Sequence, residues 1–288
     1  MIRNFAKTLP QNYLTSHIEP RQQKFLMSQS IDTYDLISIV QIVIFAVSLG
    51  GAIILCVKHG FTKATGWRYL VVLSLARIIG SGLRLGTISE PDNYALYSGW
   101  QTTNGLGLGP LILILFGLLN RLFLSMSNCG QIILKPLHQQ LIEILMLLAI
   151  VLVIVGGIKS SITVESGQLK VHYSALSHVG IIIMVAVFIM FCLEVAYATV
   201  SRSYIPKGEN RILLAVVFCI PFVILRLVYS CLIILVGSTS TVGLYLSLSV
   251  ITEIVVALAC EIVGFTLNKA LITINSHRQD FGMRRSGH

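Results

Sequence analysis

Residues 212–236 read ILLAVVFCIPFVILRLVYSCLIILV. A single charge, Arg226, interrupts a run long enough to cross a bilayer, which takes about 20 apolar residues as a helix. In hydrocarbon every backbone N–H and C=O must be satisfied internally, so such a segment is helical. Working outward, six more runs have the same character: roughly 36–57, 69–88, 99–123, 141–159, 178–200 and 244–267. The expected fold is therefore all-α: a polytopic membrane protein built as a seven-helix transmembrane bundle. The links between the runs are short, so no soluble catalytic domain fits in them, and any function must be built from the helices and their ends.

Composition agrees. The chain has 288 residues, 55% hydrophobic and 11% charged, with mean hydropathy +0.83. Soluble domains carry about 25% charge. The net charge of +9 is spread over the ends of the apolar runs, without basic patches interleaved with aromatics, so nucleic acid is not an expected partner and the lipid bilayer is. Lys58, Lys63, Arg68, Arg121, Lys135, Arg202, Lys207, Arg211, Lys269, Arg278, Arg284 and Arg285 fall on one side. Arg3, Lys7, Arg21, Lys24, Lys159 and Lys170 fall on the other. The positive-inside rule puts the richer side in the cytosol. The N-terminus is then outside or luminal and the C-terminus cytosolic, in the endoplasmic reticulum or plasma membrane.

Three regions are expected: a polar, disordered tail over 1–30, the transmembrane domain over 31–270, and a basic cytosolic tail over 271–288. The first region lacks the apolar core of a signal peptide, and a start at Met27 would leave a compact seven-span unit. Cys56, Cys192, Cys219, Cys231 and Cys260 lie in apolar runs, and Cys129 lies in a link. With no CxxC pair and no histidine in mid-span, no metal, haem or other cofactor is expected.

Helix contacts in lipid favour small residues. Gly82 with Gly86 and Gly105 with Gly109 form two GxxxG pairs and are expected at interfaces. Pro110 and Pro221 are expected to kink spans three and six, either as part of ordinary helix packing or, alternatively, so as to open a cavity between them. Trp67, Tyr69 and Trp100 lie at span ends and fit an interfacial aromatic belt.

The residues most charged with meaning are those that lipid should reject. A charge at the bilayer centre costs about 2.5–3.5 kcal/mol on insertion scales, so such residues face partners or a wet interior. Arg77 and Arg84 are seven apart and share one stripe of span two. Arg226 lies in span six with Tyr229 one turn on, and Glu194 in span five with Tyr197 one turn on. Glu253 and Glu261 lie on span seven, and Asn104 and Asn120 bracket span three. Pairing Arg77, Arg84 and Arg226 with Glu194, Glu253 and Glu261 gives a neutral network that fixes helix register. The alternative is a polar cavity for a lipophilic small molecule, in which Glu194 or Glu253 stays unpaired as an acid. Glu261, nearest the cytosol, is expected to be solvated or paired with Lys269 or Arg211.

The stretches SLARIIGSGLRL, NGLGLGPLILILFGLLNR, ENRILLAVVFCIPFVILRLVYS and EIVVALACEIVGF together resemble an uncharacterised family of fungal seven-transmembrane proteins, known only as a domain of unknown function. The resemblance covers about residues 33–267. It implies seven helices, and it assigns no activity or catalytic residue.

Two functional readings follow. One is a membrane-bound cyclase or isomerase of isoprenoid-type fungal secondary metabolism, an analogy of architecture with terpene cyclase-like enzymes. Glu194 or Glu253 would be its buried acid, with Tyr197 or Tyr229 lining the site. The other is a divergent seven-helix receptor or sensor without enzymatic activity. Span three ends in NRLFLS and span seven in LNKALIT, where familiar receptors carry DRY-like and NPxxY motifs. A transporter would be expected to show an internal repeat, and none is visible.

Overall fold

A computed structural model of the chain describes residues 32–59, 65–90, 93–127, 136–165, 168–202, 209–237 and 241–267. The expected tails, Met27, Lys269 and Cys129 lie outside the described residues. The helices are α1 (Thr33–His59), α2 (Thr65–Ser89), α3 (Tyr94–Leu106), α4 (Leu108–Ser127), α5 (Pro136–Ile158), α6 (Ala175–Val200), α7 (Asn210–Ile234) and α8 (Val242–Thr266). Seven segments are long and apolar enough to cross a membrane, with α3 and α4 together making the third. The protein is an integral, multi-pass membrane protein.

A feature absent from the sequence reading joins α5 to α6. Strands β1 (Ser161–Glu165) and β2 (Gln168–His172) pair antiparallel, Ser161 opposite His172 and Glu165 opposite Gln168. Because successive spans alternate in direction, this hairpin shares one end of the bundle with the starts of α1, α3, α6 and α8 and the ends of α2, α5 and α7. It is called the hairpin end below.

Local signals set the helix ends. Asp35 sits in the first turn of α1, and its Oδ2 accepts the N–H of Asp32 at 2.9 Å, the reciprocal bond of a capping box. Asn93 Oδ1 accepts from Ala95 N–H at 3.1 Å to start α3. At the opposite end of the bundle, Lys58 donates to the Phe265 carbonyl at 2.9 Å. There the last turn of α1 satisfies a carbonyl at the end of α8, a favourable use of a cation.

The third span is the axis of the molecule: over an apolar 18-residue stretch of it 83% of residues are buried, against 28–44% for the matching stretches of the other six. Its run LILILFGLL is apolar on every side because neighbours surround it, as expected of a fully buried helix. The remaining helices turn apolar side chains such as Val43, Val200 and Leu214 outward, the surface that lipid covers.

Two expectations about packing are corrected, those for the paired glycines and for the aromatic belt. The third span is interrupted at Gly107, one turn before Pro110, whose missing N–H cannot bond the Leu106 carbonyl. Pro221 does lie inside α7, which continues through it. Of the four GxxxG glycines, a Cβ at Gly82 would meet nothing within 4 Å, and those at Gly86 and Gly105 would make ordinary contacts. Only Gly109 is tight, against Ile150; close approaches outside these motifs include Gly156 and Gly180 between α5 and α6, Gly157 and Gly80 against threonines of α3, and Gly264 against Trp67. Trp67 and Trp100 are buried in the bundle rather than set in a belt, and the Tyr69 hydroxyl donates to Glu143 across α2 and α5.

Candidate functional site

The central site is built on one carboxylate. Glu253 of α8 is fully buried, and its Oε1 accepts from Arg77 Nη2 of α2 and from Arg226 Nε of α7, the latter at 2.6 Å. Both guanidinium groups also reach α3. Arg77 Nη1 donates to Asn104 Oδ1 at 3.2 Å, and Arg226 Nη2 donates to the Asn104 carbonyl. Arg226 Nη1 donates to Ser230 Oγ at 3.0 Å, and its guanidinium carbon lies 5.2 Å from the centre of the Tyr229 ring. Asn104 Oδ1 takes a further bond from Ser249 at 3.2 Å, and its amide donates to the Tyr229 hydroxyl at 3.4 Å.

The local backbone makes room for this. Gly107, at the break between α3 and α4, presents bare backbone to the pair: a Cβ there would overlap Arg77 Nη2 and lie 2.6 Å from Glu253 Oε1. On the other side α8 opens with a π-helical stretch, Tyr245–Ile251. Such widened turns recur at functional sites. Here Tyr245 and Ser249 are buried within it, two turns and one turn ahead of Glu253.

Toward the hairpin end a second layer lies between α1, α2 and α8. Gln41 Oε1 accepts from the Tyr245 hydroxyl at 3.1 Å and from Ser81 Oγ at 3.3 Å. Tyr245 is within electrostatic reach of both Arg77 and Glu253, so this layer adjoins the central site. Rings of Tyr34, Tyr97, Trp100, Tyr229 and Tyr245 then pack edge-on or tilted with centroids 5.4–6.5 Å apart. Tyr173, just after β2, lies near Tyr97 and Tyr229, and burial pushes its phenol up.

Arg84 belongs to this outer cluster and not to the central one. Its Nε donates to Asp35 Oδ1 at 2.9 Å, its Nη2 reaches Asp32 at 3.4 Å, and its guanidinium lies 4.9 Å from the Trp100 ring centre. The expected pairing with a glutamate is thus corrected. Arg84 is two turns nearer the hairpin end than Arg77, and Asp35, at the very start of α1, is the carboxylate within reach there.

The other predicted residues lie apart from the centre. Glu261 is buried rather than solvated: Ser48 Oγ donates to its Oε1 at 2.6 Å, and its carboxyl lies over Gly51. Glu194 is buried on α6, a helix that supplies none of the groups bonded to Arg77 or Arg226. Tyr197 is 45% exposed on the outer face of α6 and does not line the centre. Asn120 is half-buried on α4, about 24 Å along the helical axis from Asn104 at 1.5 Å per residue. The expected neutral network of three arginines and three glutamates therefore resolves into separate clusters, and the central one holds two guanidinium groups against one carboxylate.

Gln41, Asp35, Tyr245, Ser249 and Gly107 were not singled out from the sequence. One signal was present: Asp35, Ser38, Gln41 and Ser48 recur at helical spacing along the buried side of α1, a polar stripe in a lipid-embedded helix. Among the described residues, no three His, Cys, Asp or Glu side chains converge as metal ligands. Chemically, the centre offers cationic donors and an acceptor in a setting shielded from solvent.

Residues 31–270 match the family described as Domain of unknown function (DUF7702), and the chain belongs to that family. No curated protein matches the chain.

Proposed function

We propose that this protein binds a lipophilic small molecule within its bundle, and that Arg77, Arg226 and Glu253 hold the molecule's polar group. The observation that carries this reading is unmet bonding capacity in the interior. Arg77 Nε, Glu253 Oε2 and Gln41 Nε2 are buried without a hydrogen-bond partner among the described residues. Buried polar atoms in native proteins are nearly always bonded, and ionisable groups in mid-membrane mark binding or transport sites. A molecule with one polar end meets both conditions, its apolar body lying against the rings around Trp100. The distribution of Lys and Arg supports an orientation with the hairpin end outside or luminal, which would put this site in the outer half of the bundle.

The test uses the two tryptophans of the chain. Trp67→Phe leaves Trp100, within the aromatic cluster, as the sole reporter. Purified protein in nanodiscs is titrated with isoprenoid alcohols, sterols and fatty acids. Saturable change in Trp100 emission, with a raised melting temperature, supports binding. Emission and melting that ignore the whole panel remove it.

A second reading, a terpene cyclase-like lyase or isomerase, draws on the unbonded Glu253 Oε2, which could face a substrate as an acid; Glu194 is the other candidate. Two guanidinium groups on Oε1 make Glu253 better suited as a counter-ion than as a proton donor, so binding ranks first. In a heterologous host fed isoprenoid epoxides, product formation that survives both Glu253→Gln and Glu194→Gln excludes the acid role. Binding without turnover favours a sensor.

A further inference from the structure

The central cluster is unbalanced in charge as well as in hydrogen bonds. Arg77 and Arg226 are at most 4% exposed, and among the described residues the only carboxylate bonded to either is Glu253. Their remaining partners, Asn104, Ser230 and the Tyr229 ring, are neutral. Asp35 offsets Arg84, and Glu261 is bonded by Ser48. A buried charge without compensation is strongly disfavoured, so one negative charge is missing from the centre. The unfilled donors say where it belongs. Arg77 Nε on α2 and Gln41 Nε2 on α1 both lack an acceptor. They are linked through Tyr245, which donates to Gln41 and interacts with Arg77. These two unfilled groups are donors, and one of them is cationic, as an anion requires; Glu253 Oε2, the third unfilled atom of the centre, is an acceptor and stays outside this contact.

Resting on the binding reading above, we infer that the molecule this site takes is a lipophilic monocarboxylic acid, whose carboxylate accepts from Arg77 Nε and Gln41 Nε2. A single negative charge neutralises two guanidinium groups and one glutamate. A phosphate monoester carries about −1.5 to −2 at neutral pH and would overshoot. A guanidinium edge and an amide N–H suit the two oxygens of one carboxylate. An alcohol, ester or amine supplies either no charge or the wrong one. The carboxylate could also come from a small free anion, and the apolar surroundings argue for the lipophilic carrier.

The experiment compares palmitate, methyl palmitate and acetate on the full chain in nanodiscs, read by Trp100 emission in the Trp67→Phe background. Palmitate should bind at least about tenfold more tightly than methyl palmitate, the equivalent of one charge-assisted hydrogen bond. Gln41→Met should weaken palmitate about tenfold and methyl palmitate, whose ester carbonyl accepts only a weaker neutral bond, by clearly less. Arg77→Gln, which neutralises the centre, should erase the preference for the acid; should that variant not fold, Gln41→Met alone decides. Acid and ester binding equally overturns the carboxylate inference and leaves the binding function standing. Acetate competing as well as palmitate overturns the lipophilic carrier. No binding by any of the three overturns the inference, and the wider panel then decides the binding function separately.

Discussion

Arg226 donates its Nε to Glu253 Oε1 at 2.6 Å, on the oxygen that also takes Arg77. One carboxylate thus joins α2, α7 and α8 around the break in the third span. All three side chains are buried, so their bonds to one another stand in for hydration everywhere but at Arg77 Nε and Glu253 Oε2.

Removing that carboxylate's charge leaves two guanidinium groups uncompensated. Glu253→Gln is expected to destabilise the fold by about 3–5 kcal/mol, the usual cost of breaking a buried ion pair from one side. Glu261→Gln keeps an oxygen to accept from Ser48 and, among the described residues, strands no cation, so it should cost about 1 kcal/mol or less. Thermal unfolding in detergent compares the two, and equal melting temperatures would refute the keystone role of Glu253.

Glycines that look alike in sequence should behave differently. Gly107→Ala drives a methyl into Arg77 and Glu253 and is expected to abolish folding or cost several kcal/mol. Gly82→Ala meets open space and should be neutral or stabilising by about 0.5–1 kcal/mol, since alanine favours helix. Expression and melting of the two variants check this, and a destabilised Gly82→Ala would contradict the packing described.

The outer cluster couples α1 to α2 through Arg84 and Asp35. A double-mutant cycle with Arg84→Gln and Asp35→Asn should give a coupling energy of about 0.5–3 kcal/mol. Arg84→Lys should recover only part of it, because an ammonium lacks the planar face that packs on Trp100. Additive single effects would show that the pair is incidental.

The charge distribution predicts which way the bundle faces. A glycosylation acceptor inserted between β1 and β2 should be modified in a eukaryotic host, and one inserted between α6 and α7 should not. The reverse pattern would invert the orientation, leaving the internal geometry untouched.

The sequence by itself determined the number of spans, their limits to within a few residues, and the fact that the charges inside the spans had to face partners or a polar interior. Those follow from local physics: hydrocarbon requires helices, and lipid rejects lone charges. Residue spacing along a helix also put Tyr229 beside Arg226. The tertiary structure decided the rest. It chose the third span as the axis, gave Arg84 to Asp35, turned Tyr197 outward, and left the central cluster with two cations to one anion. Composition could count charges across the membrane as balanced, but electrostatic compensation works over a few ångströms. Which charges lie within that distance depends on how the helices rotate and how deeply each residue sits, and neither is written in any one segment.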